Sequence, residues 1–236
     1  LRVPRQVTKE RIVAGAAKVF SEYGYAGTTI SQIAREAKVS EASIYEYFNC
    51  KEDLLLTAAT EKIPEVLSII EDHLFGIKGA LGQLRKFVWV YVRHMTENQT
   101  HARIALLHLK TNKGFMDTEA YKAVQQLYAG LIEIITKGQQ AGEIRPDINP
   151  YMARALIMGS IEHITVRWLL KDCSYNLLDQ LEQMYDLIEE ALKTRPTFSG
   201  AQARSPVPTN GMVSDITSPP PDNGEHPCTR SKGGTP

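Results

Sequence analysis

Apolar residues recur at intervals of three and four along nearly the whole of the first 193 positions, and no stretch alternates long enough to make a strand. This periodicity predicts an all-α fold of about nine helices over residues 6–193. Thr8 caps a first helix with Ile12, Ala16, Phe20 and Tyr23 on one face, ended by Gly24 and Gly27. Thr29 followed by Gln32 is a capping-box signature for a second helix burying Ile30, Ile33, Ala34 and Ala37. Ser40 then caps a third, very short helix, and Asn49 with Glu52 offers a capping box for a fourth. Such closely spaced helices have the rhythm of a helix-turn-helix.

Later punctuation is equally regular. Gly76, Gly79 and Gly82 precede a helix near 84–96, a shorter one covers 101–110, and a long one runs over 118–140 to Gly142. Asn149-Pro150 starts a helix reaching Leu170, and a last helix over 176–193 places Leu177, Leu181, Met184, Ile188 and Leu192 on one stripe. Pro64 interrupts the fourth helix, either as a hinge or as a simple break with restart. From Thr194 onward the chain holds eight of its twelve prolines and five of its sixteen glycines, which predicts a disordered tail over 194–236.

Charge alone gives no hint of a polyanionic partner, since 27 basic and 27 acidic residues cancel, and the third helix, in SEASIYEYFNCK, is itself acidic. The distribution changes that picture: residues 1–20 carry Arg2, Arg5, Lys9, Arg11 and Lys18 against Glu10 alone. In a helix-turn-helix the first helix braces a second whose early residues reach base edges in the major groove. Ile33, Ala34, Val39, Ile44 and Phe48 form the apolar seam for this, leaving Glu41, Ala42, Ser43, Tyr45, Glu46 and Tyr47 facing outward.

Residues 12–55 resemble the N-terminal DNA-binding domain of the TetR family of bacterial transcriptional regulators. The matching positions are Ala16-Ala17, Phe20, Gly24-Tyr25, Thr28-Thr29, Ile33-Ala34, Ala37, Val39-Ser40, Ile44-Tyr45, Phe48, Lys51-Glu52 and Leu54. The resemblance implies a DNA-binding domain over 6–52 and a helical effector-binding and dimerisation domain over 53–193. It further implies a homodimer on a near-palindromic operator of double-stranded DNA, acting as a repressor and released by a small-molecule effector. Carried over by position, Thr29, Ser40, Tyr45, Tyr47 and Lys51 contact phosphates, while Glu41, Ala42 and Ser43 face bases. Glu41 or Glu46 suits a cytosine amino group. Lys38 stands where the family commonly has glycine, which either loosens the turn or adds a phosphate contact.

No HExxH, phosphate-loop, GxSxG or GxGxxG motif favours an enzyme. An enzyme without a recognisable motif and a helical interaction adaptor are the competing classes. The odd, widely spaced Cys50, Cys173 and Cys228 suggest neither a disulfide framework nor a zinc site. His94, His101 and His108 repeat every seven residues, about 10 Å apart along a helix axis, too far to share one ion. No cofactor or metal is therefore expected, and without an apolar leader or membrane span the reading is a cytoplasmic protein.

For the effector, Trp89, Tyr91, His94, Phe115, Tyr128 and Met158 are candidates to line an apolar cavity, with Glu162, His163 and Arg167 as polar anchors. Each of the apolar candidates alone is more often ordinary core, and the polar trio reads equally as an ion pair with a satisfied histidine at the dimer interface. The segment IMGSIEHITVRWLLKDCSYNLLDQ is broadly similar to that of family members responding to acyl-CoA or other apolar molecules, which implies a lipophilic effector. Small residues Ala155 and Gly159, with the stripe of Leu177, Leu181, Met184 and Ile188, suit either a two-fold interface or the subunit's own core.

Overall fold

The computed structural model describes residues 5–109, 115–116 and 118–194. The tail expected over 194–236 lies outside the described residues from 195 on, as does Arg2. The described residues are helical and connecting segments, with one isolated bridge between Ile144 and Lys193 in place of any sheet. They fall into two compact units, one comprising residues up to Lys62 with 100–121, the other Ile63–Gln99 and residues from Lys122 on.

The first unit opens with α1 (Arg5–Gly27), α2 (Ile30–Ala37), α3 (Glu41–Tyr45) and α4 (Lys51–Thr60). Gly24 does not end α1: at φ 69° it kinks the chain, and helical residues resume as far as Gly27. Tyr23, expected on the buried face, is 56% exposed. Gly15 permits the close packing of α1 on α2, since a Cβ there would stand 3.1 Å from that of Ala37. Behind this contact Ile12, Phe20, Ile33, Ile44 and Leu54 are fully covered, whereas Ile30 is only half-buried.

The fourth helix starts differently from expectation. Cys50 occupies the cap position, its sulfur accepting from the Asp53 amide at 3.4 Å, and the Asp53 carboxylate accepts from the Asn49 amide at 3.1 Å. The reciprocal bond thus runs one residue later than the Asn49/Glu52 spacing suggested. The first unit is completed by α7 (Gln99–Arg103) running into a π-helical segment, Ile104–Leu109, that packs against α1 and α4.

After α4 the helix breaks, and α5 (Ile63–Leu74) restarts with Pro64 in its first turn, where proline's missing N–H costs nothing. The break with restart is thus the observed alternative. α6 (Ala80–Glu97) forms the centre of the second unit, packing on α5, α9 (Pro150–Leu170), a 3₁₀ turn (Leu177–Gln180) and α10 (Leu181–Leu192). The single last helix expected over 176–193 is this 3₁₀ turn followed by α10.

The start of α6 is capped from far away. Gly79 has no side chain to offer, and the Glu143 carboxylate accepts from the Ala80 amide at 2.7 Å and from the Leu81 amide at 3.5 Å. Near the end of α8 (Glu119–Gln140), Gly138 leaves no room for a side chain: its Cβ would lie 2.5 Å from Ala80 Cβ and 2.7 Å from Ile144. Among the described residues no helix is long and apolar enough to cross a membrane.

Candidate nucleic-acid interface and effector domain

Both helix starts in the helix-turn-helix are set by their own side chains. Thr29 Oγ1 accepts from the Gln32 amide at 3.2 Å while Gln32 Oε1 accepts from the Thr29 amide at 2.7 Å. Ser40 Oγ accepts from the Ser43 amide at 3.1 Å, and the two serine hydroxyls pair at 2.9 Å. These bonds fix the entry of each helix before any partner is present.

The turn between α2 and α3 is closed by Lys38 at φ 54°, ψ 48°, the left-handed conformation that glycine adopts without a Cβ penalty. The turn is fully wound: Val39 donates its amide to the Ala34 carbonyl at 3.0 Å, and Lys38 to Arg35 at 3.2 Å. Arg11 supports it from α1, donating to the carbonyls of Ala37 at 2.7 Å and Lys38 at 3.1 Å. No local spacing in the sequence announces this pairing across 26 residues.

The outward face of α3 presents Glu41, Ala42, Tyr45 and Glu46 as exposed residues, with Ser43 and Tyr47 half-buried. Glu41 is oriented by a hydrogen bond from the Ser31 hydroxyl on α2, a residue the sequence did not single out. Tyr47 lies beneath the Arg5 guanidinium, 5.4 Å from its ring centre, so a cation sits beside a candidate phosphate-binding hydroxyl. Lys38 stays exposed.

Lys51 is placed otherwise than as a free phosphate ligand. Its ammonium donates to the carbonyls of Tyr25 and Thr28, each at 2.9 Å, and lies 4.4 Å from the Tyr25 ring centre. Two of its three N–H donors are thereby committed to the chain between α1 and α2. The Tyr25 phenol is pushed above its ordinary pKa by burial and, secondarily, by the charge of Glu52. His108, on the π-helical segment, packs against Gly24, and burial pushes its pKa down.

In the second unit Tyr91, His94 and Met158 are buried, whereas Trp89, Tyr128 and Glu162 are half-buried. Burial first, then the charges of Glu162 and Tyr128, hold the Tyr91 phenol well above its usual range. Arg154 covers the Tyr128 ring at 4.7 Å. Phe115 belongs to the first unit, edge-on to Tyr121 at 5.4 Å. His163 and Arg167 are exposed, because one and five residues on from Glu162 rotate them roughly 100° and 140° round the helix.

The stripe assigned to a dimer also divides. Leu177, Leu181 and Ile188 are 0%, 4% and 4% exposed within their own chain, so they pack into its core and are not available to a partner. Met184 is half-buried, while Ala155 and Gly159 are exposed. Their exposed apolar neighbours are Met152 and Leu156 on α9 and Leu187 on α10.

A three-helix head with a capped, outward-facing third helix, followed by a helical second unit, defines a helix-turn-helix regulator. Residues 12–58 match the family model for bacterial regulatory proteins of the tetR family, and residues 59–191 match that for the C-terminal region of YsiA-like proteins. The chain belongs to the TetR family of DNA-binding transcription regulators.

It is 24% identical over 189 residues to the fatty acid metabolism regulator protein of Bacillus subtilis, covering 78% of this chain and 95% of that one. It is 28% identical over 224 residues to the HTH-type transcriptional regulator HbdR of Aromatoleum, covering 91% and 93%. The crystal structure of the regulator FadR from Bacillus subtilis in complex with stearoyl-CoA superposes with a TM-score of 0.67 at 26% identity, over 76% of this chain and 96% of that one. These relatives are named as regulators, not as enzymes.

Proposed function

We propose that the protein is a repressor that binds a near-palindromic operator as a homodimer and leaves it when a long-chain acyl thioester occupies the second unit. The first half is supported by the pre-set α2–α3 geometry, in which both helix starts are capped by their own side chains; in this reading Ala42, Ser43 and Glu46 read bases, and Thr29, Ser40, Tyr45, Tyr47 and Lys38 contact phosphates. Lys51 serves this interface by holding the α1–α2 connection in place. Positive charge on α1 supplies the attraction that the acidic third helix lacks.

Dimerisation rests on α9 and α10. Met152, Leu156 and Gly159 fall on one face at helical spacing, with Leu187 69% exposed on α10, and an apolar face of this kind is stabilised by a second copy. The effector class is supported by the relative that binds stearoyl-CoA and by a second unit whose buried Tyr91 feels the charges of Glu162 and Tyr128. A cytoplasmic location accords with that reading.

Selection from a random duplex pool at low salt tests the DNA half. Recovery of an inverted repeat bound by an even number of chains, counted by native mass spectrometry, is the expected outcome. Recovery of no sequence preference refutes it.

A further inference from the structure

The second unit carries a cleft that neither DNA reading nor the Tyr91 cluster uses. The α6 helix, the start of α10 and Ile77 enclose about 290 Å³. Ile77, Val88 and Leu181 give it apolar walls, and the charged side chains stand around them.

Arg85 is held by an ion pair with Glu182 and stacks over the Tyr185 ring at 4.7 Å. Tyr185 donates its hydroxyl to the Leu81 carbonyl, and burial, more than the nearby carboxylates, pushes its phenol up to about 12, so it contributes no negative charge near neutral pH. Arg93 lies 5.1 Å from the Trp89 ring centre but is engaged by Glu97 at 2.7 Å. His73, 6.3 Å from the same ring, is bonded to the Ile69 carbonyl at 2.8 Å.

Lys86 differs from all of these. Its ammonium stands 4.2 Å over the half-buried Trp89 ring and makes no hydrogen bond or ion pair among the described residues. A lysine with three uncommitted donors, parked on an aromatic face beside an apolar wall, is suited to an anion whose body is flat and apolar. The volume equals that of about ten water molecules, enough for one or two rings and far too small for a complete acyl-CoA.

We propose that the α6–α10 cleft is a separate ligand site for a small aromatic anion, its carboxylate or sulfonate on Lys86 and its ring against Trp89 and the apolar walls. The site stands whether or not the effector is an acyl thioester. Glu182 acts against the ligand by repulsion and by occupying Arg85, which makes the site's affinity adjustable in both directions.

The test uses the full chain with two probes, 8-anilinonaphthalene-1-sulfonate and the uncharged N-phenyl-1-naphthylamine, read by dye emission and by energy transfer from tryptophan. Trp89 and Trp168 are the chain's two tryptophans, so Trp89→Leu removes the donor at the cleft. Lys86→Gln is expected to weaken the sulfonate about fivefold, as the loss of one charge-assisted contact would. Glu182→Gln, at a side chain 70% exposed and thus safe for folding, should strengthen it about twofold by freeing Arg85. Neither change should move the uncharged dye, and Trp89→Leu should reduce the energy transfer to what Trp168 alone supplies. Sulfonate affinity unchanged by both Lys86→Gln and Glu182→Gln, or equal shifts for both dyes, overturns the proposal.

Discussion

The two units are held in shape by bonds of different reach. In the DNA-reading unit the helix starts are set locally, Thr29 with Gln32, Ser40 with Ser43, Cys50 with Asp53, and longer ties from Arg11 and Lys51 brace the turns between them. In the second unit they span the chain, as when Glu143 caps α6 across 63 residues or Tyr185 bonds Leu81 across 104. Local caps preserve the geometry of a short reading helix whatever happens elsewhere. Long-range ties make the second unit's shape depend on the packing of several helices at once, which suits a domain that must respond to what it encloses.

The sharpest way to break this contrast is Gly138→Ala. Its new methyl would stand 2.5 Å from Ala80 Cβ and 2.7 Å from the fully buried Ile144, and overpacking against both should cost about 3 kcal/mol. Chemical denaturation should show the loss. If the first unit supplies its own geometry, amide exchange in α2 and α3 should remain slow in that variant.

Next in size is Lys51→Ala. Losing two charge-assisted bonds to the carbonyls of Tyr25 and Thr28 should destabilise the protein by about 2 kcal/mol. DNA affinity should fall equally for all sequences. The slope of affinity against salt discriminates its roles: it stays unchanged if Lys51 acts through the fold, and flattens by about one phosphate's worth if the third donor reaches DNA.

Glu143→Gln should cost about 1 kcal/mol, since a neutral amide oxygen caps the α6 N-terminus less well than a carboxylate. A thermal melt of a few degrees' shift measures it. The smallest effect is a gain. Lys38→Gly relieves a left-handed lysine at φ 54° and should stabilise by about 0.5–1 kcal/mol. If Lys38 also touches phosphate, DNA affinity drops while stability rises, and the two readings separate in one variant.

This contrast also explains what the sequence could reveal. The second helix, its capping box and the Ser40 cap were legible because their signals lie within three residues of one another. Asn149-Pro150 marked the start of α9 for the same reason. Arg11 bracing the turn, Ser31 orienting Glu41 and Glu143 capping α6 were not legible, because no spacing rule links residues ten to sixty-three positions apart. Leu177, Leu181 and Ile188 show the complementary difficulty: a helical stripe says that a face is covered, and only the packing says that the cover is the chain's own core. Glu162, His163 and Arg167 looked like one anchor by proximity in sequence, yet helix geometry sends two of them outward.

The central claim is that DNA binding by the first unit is governed by an acyl thioester in the second. Fluorescence anisotropy of the selected inverted-repeat duplex, titrated with stearoyl-CoA and in parallel with free coenzyme A, measures that coupling directly. The account predicts release by stearoyl-CoA at a concentration where coenzyme A has no effect. Undiminished DNA binding at saturating stearoyl-CoA would contradict it.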